Sequence, residues 1–130
     1  MKKYRVTLNE HQLRLVSLCV EDCHRFMGGQ MELLNTISCL DHEKSMELRD
    51  KLRELKQLVT PDLLLGGCYG WNGGCCPNEN QRKFLAETYY IYREILHQLT
   101  CPKDTWNVYS GSTLRCKDSG EPIIIEEVKE

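Results

Sequence analysis

The run Gly66-Gly67-Cys68-Tyr69-Gly70-Trp71-Asn72-Gly73-Gly74-Cys75-Cys76-Pro77 constrains this chain most, because it gathers five of the nine glycines between two helix-forming segments. So little side chain makes a poor core. Glycine instead permits backbone conformations closed to other residues and lets a main chain approach another group closely. The run therefore reads as an ordered connection that brings backbone near something. At 130 residues, 41% hydrophobic and 28% charged, residues 1–130 fit one domain with enough length to bury a core.

A formal net charge of −2 removes the bulk electrostatic drive toward nucleic acid or an acidic membrane, so neither is an expected partner. The opening Met1-Lys2-Lys3-Tyr4-Arg5-Val6-Thr7 lacks the apolar run of an export signal. No stretch approaches the roughly 20 apolar residues that span a bilayer. These features predict a soluble, cytoplasmic protein whose eight cysteines are mostly thiols. Cys19 and Cys39 fall on or near apolar helical positions and are expected to be small buried hydrophobes.

Tyr4, Val6 and Leu8 alternate with polar residues, which predicts a short strand ahead of the first helix. Thr7 with Glu10, and Asn9 with Gln12, have capping-box spacing, so the helix starts in that window. Helical spacing continues to about Leu40. It places Leu15, Val16, Cys19, Val20, Cys23, Phe26, Met27, Leu33, Leu34 and Ile37 on one buried arc, and Ser17, Glu21, Arg25 and Gly28 on the opposite, wet stripe. Gly28-Gly29 interrupts that helix, which implies a kink or a closely packed second backbone. Gln30 then projects into the apolar arc as a buried amide needing partners, with Asp22 and His24 flanking it.

Asp41 can cap a second helix reaching about Val59, with Leu48, Leu52, Leu55 and Val59 as a narrow stripe. Thr60-Pro61-Asp62 starts a short helical turn through Leu63, Leu64 and Leu65 that Gly66 ends. Pro77 or Asn78 opens a third helix to about Leu99, which buries Phe84, Leu85, Thr88, Tyr89, Ile91, Tyr92, Ile95, Leu96 and Leu99. Tyr90 falls outside that face, with Lys83, Arg93 and His97 on the polar side. Beyond Cys101-Pro102, residues 105–109, 113–117 and 122–128 read as three strands separated by turn signals. The expected fold is α+β: three main helices packed together with a small C-terminal antiparallel β-meander.

A glycine-rich run feeding a helix N-terminus is one way of building an anion site, since free amides and the positive end of the helix dipole converge there. The candidate ligand-binding set is Tyr69, Gly70, Trp71, Asn72, Gly73, Gly74, Arg82 and Lys83 with Tyr90, Arg25, Gln30 and His97. Amides, Arg82 and Lys83 would hold a phosphate or carboxylate, the aromatic rings would stack a base, and the remainder would add polar contacts. The run lacks the Gly-Lys-Ser/Thr ending of a P-loop and does not fit the dinucleotide fingerprint. The alternative is a surface loop made compact by its aromatics.

Cys68, Cys75, Cys76, Cys101 and Cys116 would be the ligands of a structural zinc, but no Cys-x-x-Cys pair exists. No cofactor motif is present. For catalysis the available groups are Cys75 or Cys76 as nucleophile and His24, His97, Asp22 or Glu94 as acid or base, and their spacing specifies no reaction.

The runs Val20-Glu21-Asp22-Cys23-His24-Arg25-Phe26-Met27-Gly28-Gly29-Gln30, Tyr69-Gly70-Trp71-Asn72-Gly73-Gly74 and Thr88-Tyr89-Tyr90-Ile91-Tyr92-Arg93-Glu94 resemble those of small uncharacterised proteins from phage and prophage genomes. The resemblance implies a context, the host cytoplasm, where small phage proteins counter host defences and one class sequesters nucleotide signals. No motif of that class is present here. The combined expectation is a non-enzymatic, homo-oligomeric binder of a small anionic, nucleotide-like molecule. A protein-interaction module using an exposed Tyr90 face is one alternative, and an enzyme acting on a nucleotide signal is another.

Overall fold

The computed structural model describes residues 1–64, 66–99 and 115–129. Its α-helices are α1 (Glu10–Met27), α2 (Leu34–Ile37), α3 (His42–Glu54), α4 (Lys56–Val59) and α5 (Glu79–Leu99), followed by a 3₁₀ turn at Lys117–Ser119. The two long helices α1 and α5 pack on each other and carry most of the architecture.

Helix α1 begins where the capping box predicts. The Asn9 side chain accepts from the Gln12 amide at 2.8 Å, and the Gln12 side chain accepts from the Asn9 amide at 3.0 Å. It ends twelve or so residues earlier than periodicity suggests. Gly28 caps it, and Gly29 takes φ 106°, where a side chain would also strike the Gly67 carbonyl oxygen at 3.0 Å. Close backbone packing is thus the reason for this glycine pair, and the Tyr69 amide donates to the Gly28 carbonyl at 3.0 Å.

The short α2 is capped from α1. Asp22, buried, accepts from the Asn35 amide at 3.2 Å and the Thr36 amide at 2.6 Å, satisfying donors that a helix start leaves open. This contact follows Leu33, held in the left-handed region at φ 49°, a conformation that costs a non-glycine residue about 1–2 kcal/mol. Asp41 caps α3 as its position predicts, accepting from the Lys44 amide at 2.9 Å. The predicted single helix breaks at Leu55, which is exposed, while Leu52 is buried. The following Thr60–Leu63 stretch forms a hydrogen-bonded turn rather than helix, and Leu65 lies outside the described residues.

The break at Leu55 points Lys56 inward. Its ammonium is buried and donates to the carbonyls of Gly29 at 2.7 Å and Gly67 at 2.6 Å, tying the end of α1 to the glycine-rich run. Gln81 adds a second tie from α5, donating to the carbonyls of Met27 at 2.7 Å and Val59 at 3.2 Å. The core cluster is Tyr69, Cys76 and Leu85, with Met27 and Leu63 against it. The glycine-rich run therefore contributes two core side chains, contrary to its composition.

The expected β-meander does not form among the described residues. Among the described residues there is no strand. Tyr4 and Val6 stay exposed in an extended arm, and residues 122–128 form no sheet. Residues 105–109 lie outside the described residues, as do 113 and 114 of the expected second strand. Alternation marks a chain able to form a strand, but a strand needs a neighbour to satisfy its backbone groups. The fold is helical rather than α+β over the described residues.

The helical faces also differ from the wheel. On α1, Ser17 is fully buried and its hydroxyl donates to the Tyr92 carbonyl at 3.0 Å, so this small residue of the expected wet stripe faces α5. Leu15, Val16, Cys19 and Cys23 face outward, and Cys39 is exposed as well. Small residues allow two backbones to approach, and that close packing has taken precedence over burial of the apolar arc. On α5, Leu85, Tyr92 and Ile95 are buried as expected, whereas Phe84 is exposed.

Candidate functional site

A cleft of about 220 Å³ opens between α1, α5 and the start of the glycine-rich run. From α1 and the turn after it come His24, Arg25, Gly28 and Gln30. The run supplies Cys68, Gly70 and Trp71, and α5 supplies Tyr89, Tyr92 and Arg93. Their positions follow from helical spacing: Tyr89 and Arg93 are four residues apart on one side of α5. Lys56 and the Tyr69 amide fix the run against the end of α1.

The aromatic wall is continuous. Trp71 and Tyr89 have ring centroids 5.2 Å apart, Tyr89 meets Tyr92 edge-on at 5.2 Å, and His24 lies 5.2 Å from Tyr89 and 5.6 Å from Tyr92. These separations are those of favourable ring pairs. Burial pushes the Tyr92 phenol above its ordinary value, so it is a neutral group at any ordinary pH.

Two guanidiniums join this wall. Arg25 is fixed by Glu21, whose Oε2 accepts from Nε and Nη2 at 3.2 Å each, and its Nη1 donates to Gln30 Oε1 at 3.0 Å. Arg93 lies over the Tyr89 ring, 5.6 Å from its centroid. Glu21 offsets part of the Arg25 charge, which leaves the cleft with positive potential and ring surface in one place.

His24 is the only imidazole in the wall. Burial, with the Arg25 charge beside it, lowers its pKa to about 4 against the opposing effect of a hydrogen bond to the Leu85 backbone, so the ring is neutral at pH 7. The Thr88 hydroxyl donates to the Phe84 carbonyl at 2.7 Å, and its oxygen lies 3.1 Å from His24 Nδ1. With the hydroxyl hydrogen so engaged, Nδ1 carries the ring proton and Nε2 is the accepting nitrogen.

The expected site divides on this geometry. Arg25, Gln30, Gly70 and Trp71 line the cleft, although Gln30 is exposed and paired with Arg25 rather than buried in an apolar arc. Tyr69 is buried with its hydroxyl on Asp62. Asn72 accepts from the Gly74 amide at 3.0 Å. Gly73 is buried at φ 68° against Leu85. Arg82 faces Asp118 at 3.6 Å and Lys83 pairs with Glu79 at 3.0 Å. His97 sits one turn beyond Arg93, and the cleft walls do not include it.

The amides expected to grip an anion are largely engaged. Those of Gly67, Tyr69, Gly73, Gly74 and Cys76 donate within the protein, and Asn78 caps α5 by accepting from the Gln81 amide at 2.9 Å. The run's contribution to the cleft is therefore Trp71 and its neighbours, not a phosphate-binding turn.

Tyr90 is 3% exposed. The segment 115–123 covers it: Arg115 lies 5.1 Å from the ring centroid, and the Ile123 amide donates to the hydroxyl at 2.8 Å. It neither stacks a ligand nor offers an interaction face. Spacing alone could not reveal the covering segment, which is far away in sequence.

His24, Tyr89, Tyr92 and Arg93 were visible as a polar or buried face of their own helices, but only the packing of α1 on α5 makes them one wall. Among the described residues no three His, Cys, Asp or Glu side chains are placed to hold a metal ion; Cys101 lies outside them. Among the same residues no helix is long and apolar enough to cross a membrane. No protein-family model matches the chain, and no curated protein or solved structure shows significant similarity to it.

Proposed function

We propose that the cleft binds a small anionic molecule carrying a flat ring, of the size of a mononucleotide. The observation that carries this reading is that Arg25 and Arg93 line the same cleft as the Trp71–Tyr89 ring pair, with Arg93 over the Tyr89 ring. Guanidiniums suit phosphate or carboxylate through paired donors, and exposed rings suit a base, where stacking contributes about 1–3 kcal/mol. At about 220 Å³ the cleft falls below the roughly 300 Å³ at which drug-sized sites begin. That scale suits one ring with one or two charged groups better than a cyclic dinucleotide.

Neutral His24 refines the choice. With Nδ1 committed to Thr88, Nε2 accepts a hydrogen bond, which favours a ring with an amino or ring N–H donor. In the setting that the phage resemblance implies, such a binder would sequester a nucleotide signal.

Calorimetric titration with nucleoside monophosphates tests the reading. Saturable binding is expected for at least one, with recovery of the ligand unchanged. Trp71→Ala removes a stacking surface and is expected to weaken it about 5- to 100-fold. Arg93→Gln removes a charge-assisted bond worth about 1.5–3 kcal/mol, a loss of similar size. Equal affinity in all three proteins would place the ligand elsewhere, and chemical change in the ligand would make the protein an enzyme.

A further inference from the structure

A surface arginine ordinarily keeps its guanidinium mobile, since an exposed ion pair does little to hold it. Arg25 is fixed by a chain of contacts that begins on α2. Asn35 donates from Nδ2 to Glu21 Oε1 at 2.9 Å and to the Leu18 carbonyl at 3.2 Å, which holds the Glu21 carboxylate, only 18% exposed, in place. Glu21 Oε2 then accepts from both Nε and Nη2 of Arg25, and Nη1 donates to Gln30 Oε1. Of the five N–H groups of a guanidinium, three are used in this way, and one on each of Nη1 and Nη2 is left over.

The same bond orients Gln30. A guanidinium only donates, so the amide oxygen faces Arg25 and the amide nitrogen is turned away from it. Gln30 is exposed and lines the cleft, and among the described residues that nitrogen meets no acceptor. Its two N–H groups are therefore unspent donors beside the two of Arg25. Behind the turn, the buried Lys56 ammonium is bonded to the carbonyl of Gly29, the residue before Gln30, and among the described residues it pairs with no carboxylate. Its charge is not offset as Glu21 offsets that of Arg25.

We propose that Arg25 and Gln30 form the anion subsite of the cleft and that it takes the terminal phosphate of a nucleoside monophosphate, with Glu21 as the residue that positions Arg25. The inference rests on the reading of the cleft given above and deepens it by naming the group that the α1 end receives. A carboxylate offers two oxygens in one plane. A terminal phosphate offers three as a tripod, so it can receive a guanidinium on one side and an amide on another, whereas a phosphodiester keeps only two of them free.

Calorimetric titration of the full chain with nucleoside monophosphates, the matching nucleosides and the matching nucleoside 5′-carboxylates separates this subsite from the rest of the cleft. In the wild type, the monophosphate that binds is expected to exceed its nucleoside by about 10- to 100-fold, and to exceed the 5′-carboxylate as well. Gln30→Glu keeps an oxygen for Arg25, so the bond that orders the turn survives, but it replaces the two donors with a negative charge. That variant is expected to bind the nucleoside as the wild type does and the monophosphate no better than the nucleoside; a merely structural role for Gln30 would preserve the difference. Arg25→Lys keeps the charge and removes the fork, and is expected to reduce the same ratio at least about 5-fold. Failure of every monophosphate to bind the wild type overturns this inference together with the reading of the cleft. A monophosphate that binds no more tightly than its nucleoside, a 5′-carboxylate that equals it, or a ratio unchanged in Gln30→Glu overturns this inference alone.

Discussion

Lys56→Met is expected to destabilise the protein by about 2–4 kcal/mol, read as a lower denaturant midpoint and a fall in melting temperature on the order of 10 °C. The methionine keeps the length and the apolar stem. What it removes is an ammonium that donates to two main-chain carbonyls, of Gly29 and Gly67, and so ties the end of α1 to the glycine-rich run. A buried carbonyl left without a donor costs about 1–3 kcal/mol, and relief from burying the ammonium offsets part of the sum. Because Gly67 directly precedes the Cys68–Trp71 wall, the same variant is expected to weaken ligand binding. A loss below about 1 kcal/mol would mean that these two bonds are not a principal tie between α1 and the glycine-rich run.

Acidification is expected to unload stability through His24. Its pKa is about 4 in the folded protein against 6.5 ordinarily, so between those values the unfolded chain holds more protons than the folded one. Stability contributed by the neutral ring is complete above pH 6.5, declines as pH falls through the window and levels off below about 4. A shift of this size corresponds to an effect on the order of 3 kcal/mol. Arg25 adds to the cost of a second proton on the ring, and the aromatic faces of Tyr89 and Tyr92 enclose it. Denaturation of the wild type and of His24→Gln between pH 7 and pH 4 measures the term. The wild type should lose stability more steeply, because glutamine can still donate to Thr88 but does not titrate. Parallel curves would show that His24 is solvated enough to take its proton freely.

How far the sequence could be read depended on whether the deciding interaction was local. The caps at Asn9, Asp41 and Asn78 are contacts across three residues, and the starts of α1, α3 and α5 were legible from them. The glycine pair at 28–29 signalled a kink or a close backbone, and the Gly67 carbonyl is there. By contrast, the inward face of α1 was not legible. Periodicity names the apolar side but not the side that a particular neighbour requires, and here the small Ser17 against the Tyr92 carbonyl decided it. The strands failed for a related reason: alternation at Tyr4, Val6 and Leu8 describes a chain able to pair, not a chain with a partner. Arg25, Gln30, Gly70 and Trp71 were placed in a site from sequence and share the cleft. The anion-gripping role given to Gly73, Gly74 and the start of α5 was not sustained, because the Gly70 carbonyl, Asn72 and Asn78 accept from the Gly73, Gly74 and Gln81 amides within the protein. Tyr90 misled because the segment that covers it lies 25 or more residues away.

Amide spectra of the labelled protein, recorded while a mononucleotide is added, test the location of the site directly. The cleft reading predicts saturable shifts at Gly28, Gln30, Cys68, Gly70 and the Trp71 indole, with Gly73, Gly74 and Cys76 little changed. Shifts centred on Gly73 to Cys76 and the first turn of α5, or no shifts across a panel of nucleotides, would contradict it.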